Sequence, residues 1–260
     1  MIDLVKLVDE VKIIVKKASS LMRESFKISV KATDVNIVTT SDLNVQRFLV
    51  DNLAMLVPES GFLCEEENLA DDLKEWVWII DPIDGTTNYA RGIPDCCISV
   101  GLVKNGEPVL GVVFNPYQDE LFSAVKGFGA FLNGNPINVS NKPFSQGIIC
   151  TAMSLYNKSL AKACNDIIFE TYMQANDFRR FGSCALELCY LAMGRCDLFF
   201  EMRVFPWDYC AGIVILTEAG GSICSLHKTV PSLKKPSLII AANNSENLDR
   251  LSVIIDKYVK

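Results

Sequence analysis

The sequence predicts a mixed α/β fold, built as one large domain or as two closely packed halves. Three observations lead to this prediction. Half of the 260 residues are apolar, which is enough to bury a sizeable core. Near the N-terminus, apolar residues recur at helical spacing, and in the middle of the chain they form short strand-like runs. Beyond residue 147, strand-like runs alternate with helical stretches, as they do in layered α/β proteins.

Each predicted element follows from its local pattern. Residues 4 to about 26 form a first helix, and a second helix follows the segment TTSD and ends before Pro58. From 76 to about 132, runs rich in Val, Ile and Phe joined by turns predict a strand meander. The Asn-, Gly- and Pro-rich segment 133–147 indicates a boundary. The later strands are GIICTAM, FFEM and SLIIAAN, and the later helices cover 158–175, 184–193, 209–219 and 245–259.

Composition excludes several classes of function. The chain has 25 basic and 31 acidic residues, a net charge of −6 and no basic run, so we expect neither nucleic acid nor a membrane surface as a partner. No apolar run approaches the roughly 18 residues of a membrane span. Acidic residues interrupt the N-terminal helix, so it does not resemble a secretion signal. We therefore expect a cytoplasmic protein.

Cysteine and histidine usage excludes further chemistry. Ten cysteines without a Cys-x-x-Cys pair or a secretion signal indicate a reducing compartment rather than a disulfide framework. Most of them lie in apolar segments and are interpreted as small buried side chains. The single histidine, His227, lies in a polar segment typical of a surface loop. A zinc site or a histidine-dependent nucleophile is therefore not predicted.

The segment WVWIIDPIDGTTNYARGIP, residues 76–94, carries the most chemistry. Its apolar run suits a buried strand, and Pro82 cannot donate a ladder hydrogen bond, so Asp81 and Asp84 emerge at a strand end. Ligands commonly bind at such ends in α/β folds. Two interpretations stay open on this segment alone: an Asp-Gly turn, or carboxylates that hold a metal ion beside a phosphate-binding glycine.

Two more acidic positions extend the second interpretation. Glu65 lies in the acidic run FLCEEEN, which could equally be solvated surface. Asp208 precedes the helix predicted over 209–219 and could serve only as its N-cap. All these candidate ligands offer carboxylate oxygens, which suit Mg²⁺ or Mn²⁺. A pair of such ions could activate water and neutralise a phosphate without any histidine.

Two long motifs, WVWIIDPIDGTTNYARGIP and EMRVFPWDYCAGIVILTEAGG, resemble those of the inositol monophosphatase family of Mg²⁺-dependent, lithium-sensitive phosphatases. The segments IVTTSD, FLCEEEN, KGFGAFLNG and FRRFGSCALELCYLAMGRCD follow in the order found in that family. FRRFGS and RVFPWD are similar to bacterial members. The resemblance covers most of the chain.

The resemblance implies a metal-binding role for five residues. Glu65 and Asp81 would share a first ion with the main-chain carbonyl of Ile83, and Asp81, Asp84 and Asp208 would hold a second. Glu65 would also contact a third, weaker ion. The implied cofactor is therefore two to three Mg²⁺ ions, with Mn²⁺ as the other candidate.

The remaining implied roles concern water and substrate. Thr86, paired with Asp42, would orient the attacking water, although Asp42 could also be an ordinary N-cap of the second helix. The N–H groups of Gly85 and Thr86 would bind the phosphate. Glu201 would bind inositol hydroxyls. The other implied substrate contacts are Asp84, Gly182, Ser183, Cys184 and Asp208.

Together these roles imply a layered αβαβα sandwich of the sugar-phosphatase type. An N-terminal α+β half, 1–140, would carry the main metal motif, and a C-terminal α/β half, 141–260, would complete the site. The implied reaction is hydrolysis of myo-inositol-1-phosphate to inositol and phosphate by metal-activated water, in a homodimer. The alternatives are fructose-1,6-bisphosphatase or another sugar or nucleotide phosphatase, and, in a different class, a non-catalytic regulatory protein on this scaffold.

Three positions depart from the family pattern. Cys64 stands where the family usually has glycine, Gln46 where it usually has glutamate, and Cys184 where alanine is more usual. A different motif, the Cys-x5-Arg spacing of cysteine phosphatases, occurs at 189–195, but its intervening residues are large and apolar and continue a helix.

Overall fold

Two β-sheets and the helices that cover them make up the fold. The computed structural model describes residues 2–23, 26–30, 37–66, 74–153 and 157–259. The α-helices in these ranges are α1 (Leu4–Ala18), α2 (Thr40–Leu56), α3 (Thr86–Arg91), α4 (Ala161–Tyr172), α5 (Cys184–Ala192), α6 (Pro206–Glu218) and α7 (Ser245–Asp256).

The larger sheet has seven strands within the described ranges, and they are neighbours in chain order. They are β3 (Gly61–Cys64), β4 (Trp76–Asp84), β5 (Cys97–Lys104), β6 (Glu107–Asn115), β7 (Glu120–Val125), β8 (Ala130–Leu132) and β9 (Asn135–Ile137). β3 and β4 are parallel, whereas the strands from β4 to β9 form the predicted antiparallel meander. A separate antiparallel pair joins β1 (Ile28–Val30) to β2 (Ile37–Thr39).

The smaller sheet lies later in the chain. Its described strands are β10 (Ile148–Ala152), β11 (Asp177–Arg179), β12 (Leu198–Val204), β13 (Ser222–Cys224) and β14 (Ser237–Ala242). Their order across the sheet is β11-β10-β12-β14-β13. β10 runs parallel to β11 and β12, and β14 runs antiparallel to both of its neighbours. The boundary expected near residue 140 would fall between the two sheets, and it stays a prediction.

Alternating side chains arrange these elements in five layers. On β6, Leu110 and Val112 join a core with α1 and α2, while Val113 points to the opposite face and packs with α5 and α6. On β12, Phe199 also packs with α5 and α6, whereas Phe200 packs with α4 and α7. Because successive strand residues face opposite sides, each sheet is covered on both faces. The predicted αβαβα sandwich is therefore confirmed.

Two glycines let α6 lie directly on the larger sheet. Gly101 of β5 and Gly111 of β6 are cross-strand partners beneath this helix. A Cβ atom at Gly101 would lie 2.6 Å from the sulfur of Cys210, and one at Gly111 would lie 3.0 Å from the Cα of Ala211. Any larger residue would therefore push α6 away from the sheet. This close approach fixes the first turn of α6, which carries Asp208.

The first helix is shorter than the sequence predicts. It ends at Ala18 and continues as a 3₁₀ turn over Ser19–Arg23, instead of reaching residue 26. The hydroxyls of Ser19 and Ser20 donate to the carbonyls of Lys16 and Lys17, each at 2.8 Å. Such side-chain bonds compete with the helical pattern of the main chain. In the described part of the chain, no helix has the length and apolar character needed to cross a bilayer.

One pair of cysteines differs from the expectation of free thiols. Cys150 on β10 and Cys196, which precedes β12, form a disulfide with Cα atoms 6.5 Å apart. The pair meets because β10 and β12 are adjacent parallel strands, a proximity that local sequence does not reveal. The other eight cysteines are buried and lie outside this disulfide, as expected for small apolar side chains.

Candidate active site

Three aspartates from distant parts of the chain form the centre of the site. Asp81 and Asp84 lie at the C-terminal end of β4, and Asp208 lies in the first turn of α6. Carboxylate oxygens of all three lie within 4.8 Å of one another. They line a cavity of about 390 Å³ whose wall also includes Glu65 and Ile83.

The end of β4 is irregular at the proline. Its pairing with β5 shifts between Asp81 and Asp84, where Pro82 has no N–H to donate. The freed segment is stabilised locally, because the N–H of Ile83 donates to Oδ1 of Asp81 at 2.9 Å. Gly85 follows with φ of +86°, and a Cβ there would lie 2.9 Å from the carbonyl oxygen of Asp95. Only glycine fits this turn.

The sequence suggested Asp208 as the N-cap of α6, but the N-cap is Phe205. The helix begins two residues earlier, at Pro206, because proline is well suited to a first helical position. Asp208 is the third helical residue, and its Oδ2 accepts the N–H of Phe205 at 2.7 Å. This hydrogen bond orients the carboxylate at the helix start.

Asp42 occupies the same position in α2. The N-cap is Thr39, and Oδ2 of Asp42 accepts both its N–H at 2.7 Å and its hydroxyl at 2.5 Å. The hydrogen bonds of the described residues do not include the expected pairing of Asp42 with Thr86. The Thr86 hydroxyl instead donates to the carbonyl of Ile83 at 3.1 Å.

The electrostatics of the cluster fit a bound cation. Burial raises the pKa of Asp81, Asp84 and Asp208, and neighbouring carboxylates, including that of Glu65, raise it further. The pKa of Asp84 rises to about 6. At neutral pH these like charges repel one another unless a cation lies between them. An oxygen-only donor set of this kind suits Mg²⁺ or Mn²⁺.

Hydrogen bonds leave part of each carboxylate available to such an ion. Main-chain N–H groups donate to one oxygen of each aspartate: Oδ1 of Asp81, Oδ2 of Asp84 and Oδ2 of Asp208. These donors fix the side-chain rotamers, and the remaining oxygen of each aspartate can face the cavity. The three aspartates, with Glu65 and the Ile83 carbonyl on the same wall, are the residues that could hold a divalent cation.

Asp84 also joins the strand end to the start of α5. Its Oδ2 accepts the hydroxyl of Ser183 at 2.6 Å and the N–H of Ala185 at 2.7 Å. Asn88 reinforces this junction, because its amide donates to the carbonyls of Asp95 at 2.7 Å and Phe181 at 2.6 Å. The loop 182–184, which contains the expected substrate contacts, is thereby held beside Asp84 in the wall of the cavity.

Two glutamates line another part of the cavity. Glu201, on β12 beside a bulge, is half-buried and lines the cavity. The sequence analysis assigned no role to Glu187, whose side chain is almost fully buried in α5. Its Oε1 accepts the N–H groups of Phe181 at 2.7 Å and Gly182 at 3.0 Å. The sequence offers one sign of this role, because Glu187 is the only charged residue in the apolar run CALELCYLA.

Three arginines also line the cavity without having been assigned a role from sequence. They come from separate segments: Arg91 ends α3, Arg180 follows β11, and Arg203 lies on β12. Arg180 belongs to the motif FRRFGS, but local sequence gives no sign that its side chain faces the same cavity as Glu65 and Asp208.

The structure accounts for two of the three departures from the family pattern and places the third at the start of α5. Gln46 accepts the N–H of Glu66 at 2.9 Å and donates to the Glu66 carbonyl, so it fixes the main chain next to Glu65. Cys64 ends β3 in regular pairing with Ile80, where no glycine conformation is needed. Cys184 is the first residue of α5, and burial raises the pKa of its thiol.

The rival catalytic groups are poorly placed. Cys189 is completely buried within α5, and burial raises the pKa of its thiol. Arg195 forms an ion pair with Glu120 instead of binding a ligand beside Cys189. The side chain of His227 is 63% exposed and lies 3.4 Å from Asp256, in the surface position that the sequence predicts.

We predict that Glu187→Gln stabilises the metal-free protein increasingly as pH rises. Burial raises the pKa of Glu187 from 4.5 to about 7, so the folded state holds its proton more tightly than the unfolded state does. The wild-type protein therefore loses stability between these two pH values, by on the order of 3 kcal/mol, and glutamine removes that loss. Urea unfolding with a chelator present, at pH 5 and pH 8, measures it. A stability difference that does not change with pH would contradict this assignment.

Comparisons with known proteins agree with this architecture. The sequence model of the inositol monophosphatase family matches residues 3–259. A "Nus factor SuhB" of Xylella fastidiosa is 39% identical over 223 residues, covering 82% of this chain and 81% of that protein. "Inositol monophosphatase 3" of Solanum lycopersicum is 38% identical over 218 residues, covering 80% and 81%.

A solved structure is similar over almost the whole length. The inositol monophosphatase from Anabaena (Nostoc) sp. PCC 7120 aligns with a TM-score of 0.86 and 31% identity, covering 98% of this chain and 97% of that one. The family model, the sequence relatives and the shared fold agree. The chain therefore belongs to the inositol monophosphatase family.

Proposed function

We propose that this protein is a divalent-cation-dependent phosphomonoesterase that hydrolyses inositol monophosphate to inositol and phosphate. One observation carries the proposal: carboxylate oxygens of Asp81, Asp84 and Asp208 converge within 4.8 Å in a cavity that Glu65 also lines. Family membership supports the substrate. The site would use two to three Mg²⁺ ions, or Mn²⁺, and we extend the proposal to inhibition by lithium.

The acidic end of the cavity would hold the cations. Asp81, Asp84 and Asp208 would be the central ligands. Glu65 and the carbonyl of Ile83, which line the same cavity, would be the further ligands. When bound, the cations would supply Lewis acidity that lowers the pKa of water and neutralises the phosphate. Donors from the protein hold the carboxylates in place before any ligand arrives, and such preorganisation favours charge stabilisation in the transition state.

Other residues would orient the reactants. The hydroxyl of Thr86 donates to Ile83, so its oxygen can accept a hydrogen bond from the attacking water. The N–H groups of Gly85 and Thr86 would bind the phosphate. As the water oxygen bonds to phosphorus it releases a proton, the ester bond breaks on the opposite side, and the departing alcohol oxygen takes up one proton in exchange.

The alcohol would lie against the second part of the cavity. We propose that Glu201 accepts hydrogen bonds from substrate hydroxyls and that Gly182, Ser183 and Cys184 form the adjoining wall. Asp42, whose Oδ2 accepts two hydrogen bonds from Thr39, would assist Thr86 in orienting the water. Fructose 1,6-bisphosphate or another sugar or nucleotide phosphate remains the alternative substrate. The expected cytoplasmic location stays a prediction.

A second candidate function is a regulatory role that depends on binding. The relative from Xylella fastidiosa is named a Nus factor, a name that states no phosphatase activity. A protein with only that role would not need a complete set of acidic ligands, whereas this chain has Glu65, Asp81, Asp84 and Asp208 on one cavity. Absence of phosphate release from a broad panel of esters with Mg²⁺ present would favour the regulatory role.

We predict that Asp84→Asn and Asp208→Asn each reduce turnover by more than about 100-fold, because each removes a charged cation ligand. Phosphate release from inositol monophosphate at saturating Mg²⁺ measures the loss. Asp51→Asn, at an exposed position on α2, is the matched control and should keep its activity. Circular dichroism establishes that each variant is folded. Near-wild-type turnover in either site variant would refute the proposed function.

We also predict that Gln46 strengthens cation binding by positioning the chain beside Glu65. Gln46→Leu removes both hydrogen bonds to the main chain of Glu66 and should weaken Mn²⁺ binding by about tenfold or more. Gln46→Glu keeps an acceptor and should have a smaller effect. Isothermal titration calorimetry measures the affinities, with exposed Gln146→Leu as control. An unchanged affinity in Gln46→Leu would remove this positioning role.

We further propose that two copies of the chain associate. An apolar patch lies at the C-terminal end of α4 and on the edge strand β11, with each residue at least 45% exposed. It consists of Phe169, Tyr172, Met173 and Phe178. A patch of this kind on one sheet edge suits a second, identical copy.

Light scattering should give a molar mass twice the 28.8 kDa of one chain. The double variant Phe169→Ser/Met173→Ser should be monomeric, because it removes two large apolar side chains from the patch. Ile13→Ser, an exposed apolar position on α1, should remain dimeric. A monomeric wild-type protein would exclude the dimer, and a dimeric double variant would exclude this patch as its interface.

A further inference from the structure

The cavity contains a cationic part that the proposed hydrolysis of inositol monophosphate does not use. Arg91, Arg180 and Arg203 line the same cavity as the aspartate cluster. They are contributed by the end of α3, the chain after β11 and the strand β12, so the fold gathers them from three separate segments. All three side chains belong to exposed residues and are open to a ligand.

Nothing in the described ranges pairs with these three guanidinium groups. Arg203 lies over the ring of Phe205, 5.8 Å from its centroid, a contact that leaves its N–H donors free. Two other arginines of the C-terminal half are paired with carboxylates. Arg179 forms an ion pair with Asp177 at 2.5 Å, and Arg195 forms one with Glu120. The arginines of the cavity therefore keep their full capacity to bind an anion.

The carboxylates of the cavity do not account for these arginines. Asp84 is bound by Ser183 and Ala185, and Glu187 by the N–H groups of Phe181 and Gly182. Arg180 is close enough to influence Glu187 and Glu201 electrostatically, but it forms no ion pair with either within 4.0 Å in the described structure. Local donors thus hold Asp84 and Glu187, Glu201 forms no ion pair with Arg180, and the three arginines remain available to a ligand.

Guanidinium groups match phosphate in geometry and charge. Each can donate two parallel N–H bonds to phosphate oxygens, and such charge-assisted bonds are stronger than neutral ones. The phosphate to be cleaved would lie among the aspartates, Gly85 and Thr86. The rest of inositol monophosphate carries only hydroxyls, for which three unpaired arginines are poorly suited.

We infer that Arg91, Arg180 and Arg203 form a subsite for a second phosphate group, so that the enzyme favours bisphosphorylated sugars or nucleotides over the matching monophosphates. This inference rests on the proposed function, because it requires that the aspartate cluster bind the phosphate that is cleaved. A cavity of about 390 Å³ falls within the range of small-molecule sites.

Two matched substrate pairs test the subsite. Fructose 1,6-bisphosphate and fructose 1-phosphate share the ester to be cleaved and differ in one remote phosphate, as do adenosine 3′,5′-bisphosphate and adenosine 3′-phosphate. We expect kcat/KM at saturating Mg²⁺ to be about tenfold or more higher for the bisphosphate of at least one pair. Arg91→Gln, Arg180→Gln and Arg203→Gln should each lower that ratio, and the triple variant should bring it close to one.

Arg179→Gln is the matched control, because Arg179 pairs with Asp177 and does not line the cavity. It should leave the ratio at the wild-type value. A wild-type ratio of one or less in both pairs would overturn the subsite, as would a ratio that the triple variant does not change. Hydrolysis of inositol monophosphate alone would also overturn the subsite while leaving the proposed function intact. No release of phosphate from any of these esters would refute the proposed function itself.

Discussion

Electrostatic repulsion among Asp81, Asp84 and Asp208 is the constraint on which the rest of this structure depends. Three carboxylates with oxygens within 4.8 Å of one another would separate if their side chains were free to rotate. The chain prevents this by giving each carboxylate a hydrogen-bond donor: Ile83 for Asp81, Ser183 and Ala185 for Asp84, and Phe205 for Asp208. Burial and mutual repulsion raise their pKa values, and both effects favour a bound cation.

Packing far from the cavity supports this arrangement. Asp208 reaches the cluster because α6 lies directly on the larger sheet, over a cross-strand pair of glycines, Gly101 and Gly111. Asp84 reaches it while also accepting hydrogen bonds at the start of α5. The helices between the two sheets are thus tied to the end of β4, and the core that stabilises the sandwich also sets the spacing of the candidate ligands.

The cavity divides its chemistry between two kinds of side chain. Four of its carboxylates, those of Asp81, Asp84, Glu187 and Asp208, accept hydrogen bonds from nearby donors, whereas its arginines form no ion pair among the described residues. In the functions proposed here, the acidic part would act on the ester that breaks, and the arginines would act on the remainder of the substrate. Substrate preference within one family could therefore change through the arginines without any change in the ligands that support hydrolysis.

Local sequence determined much of this protein. Apolar periodicity predicted the helices and the meander, and the motifs around Asp81 and Asp208 indicated the family and the acidic residues that line the cavity. Residues whose meaning depends on contacts between distant segments were missed or misread. Glu187, Arg91 and Arg203 line one cavity only because α5, α3 and β12 pack around it. Asp208 resembles an N-cap in the sequence, whereas α6 begins at Pro206 and Asp208 is its third residue. The periodicity of apolar residues shows which face of a helix or strand is buried. Only tertiary packing decides which side chains from distant segments come into contact or line the same cavity.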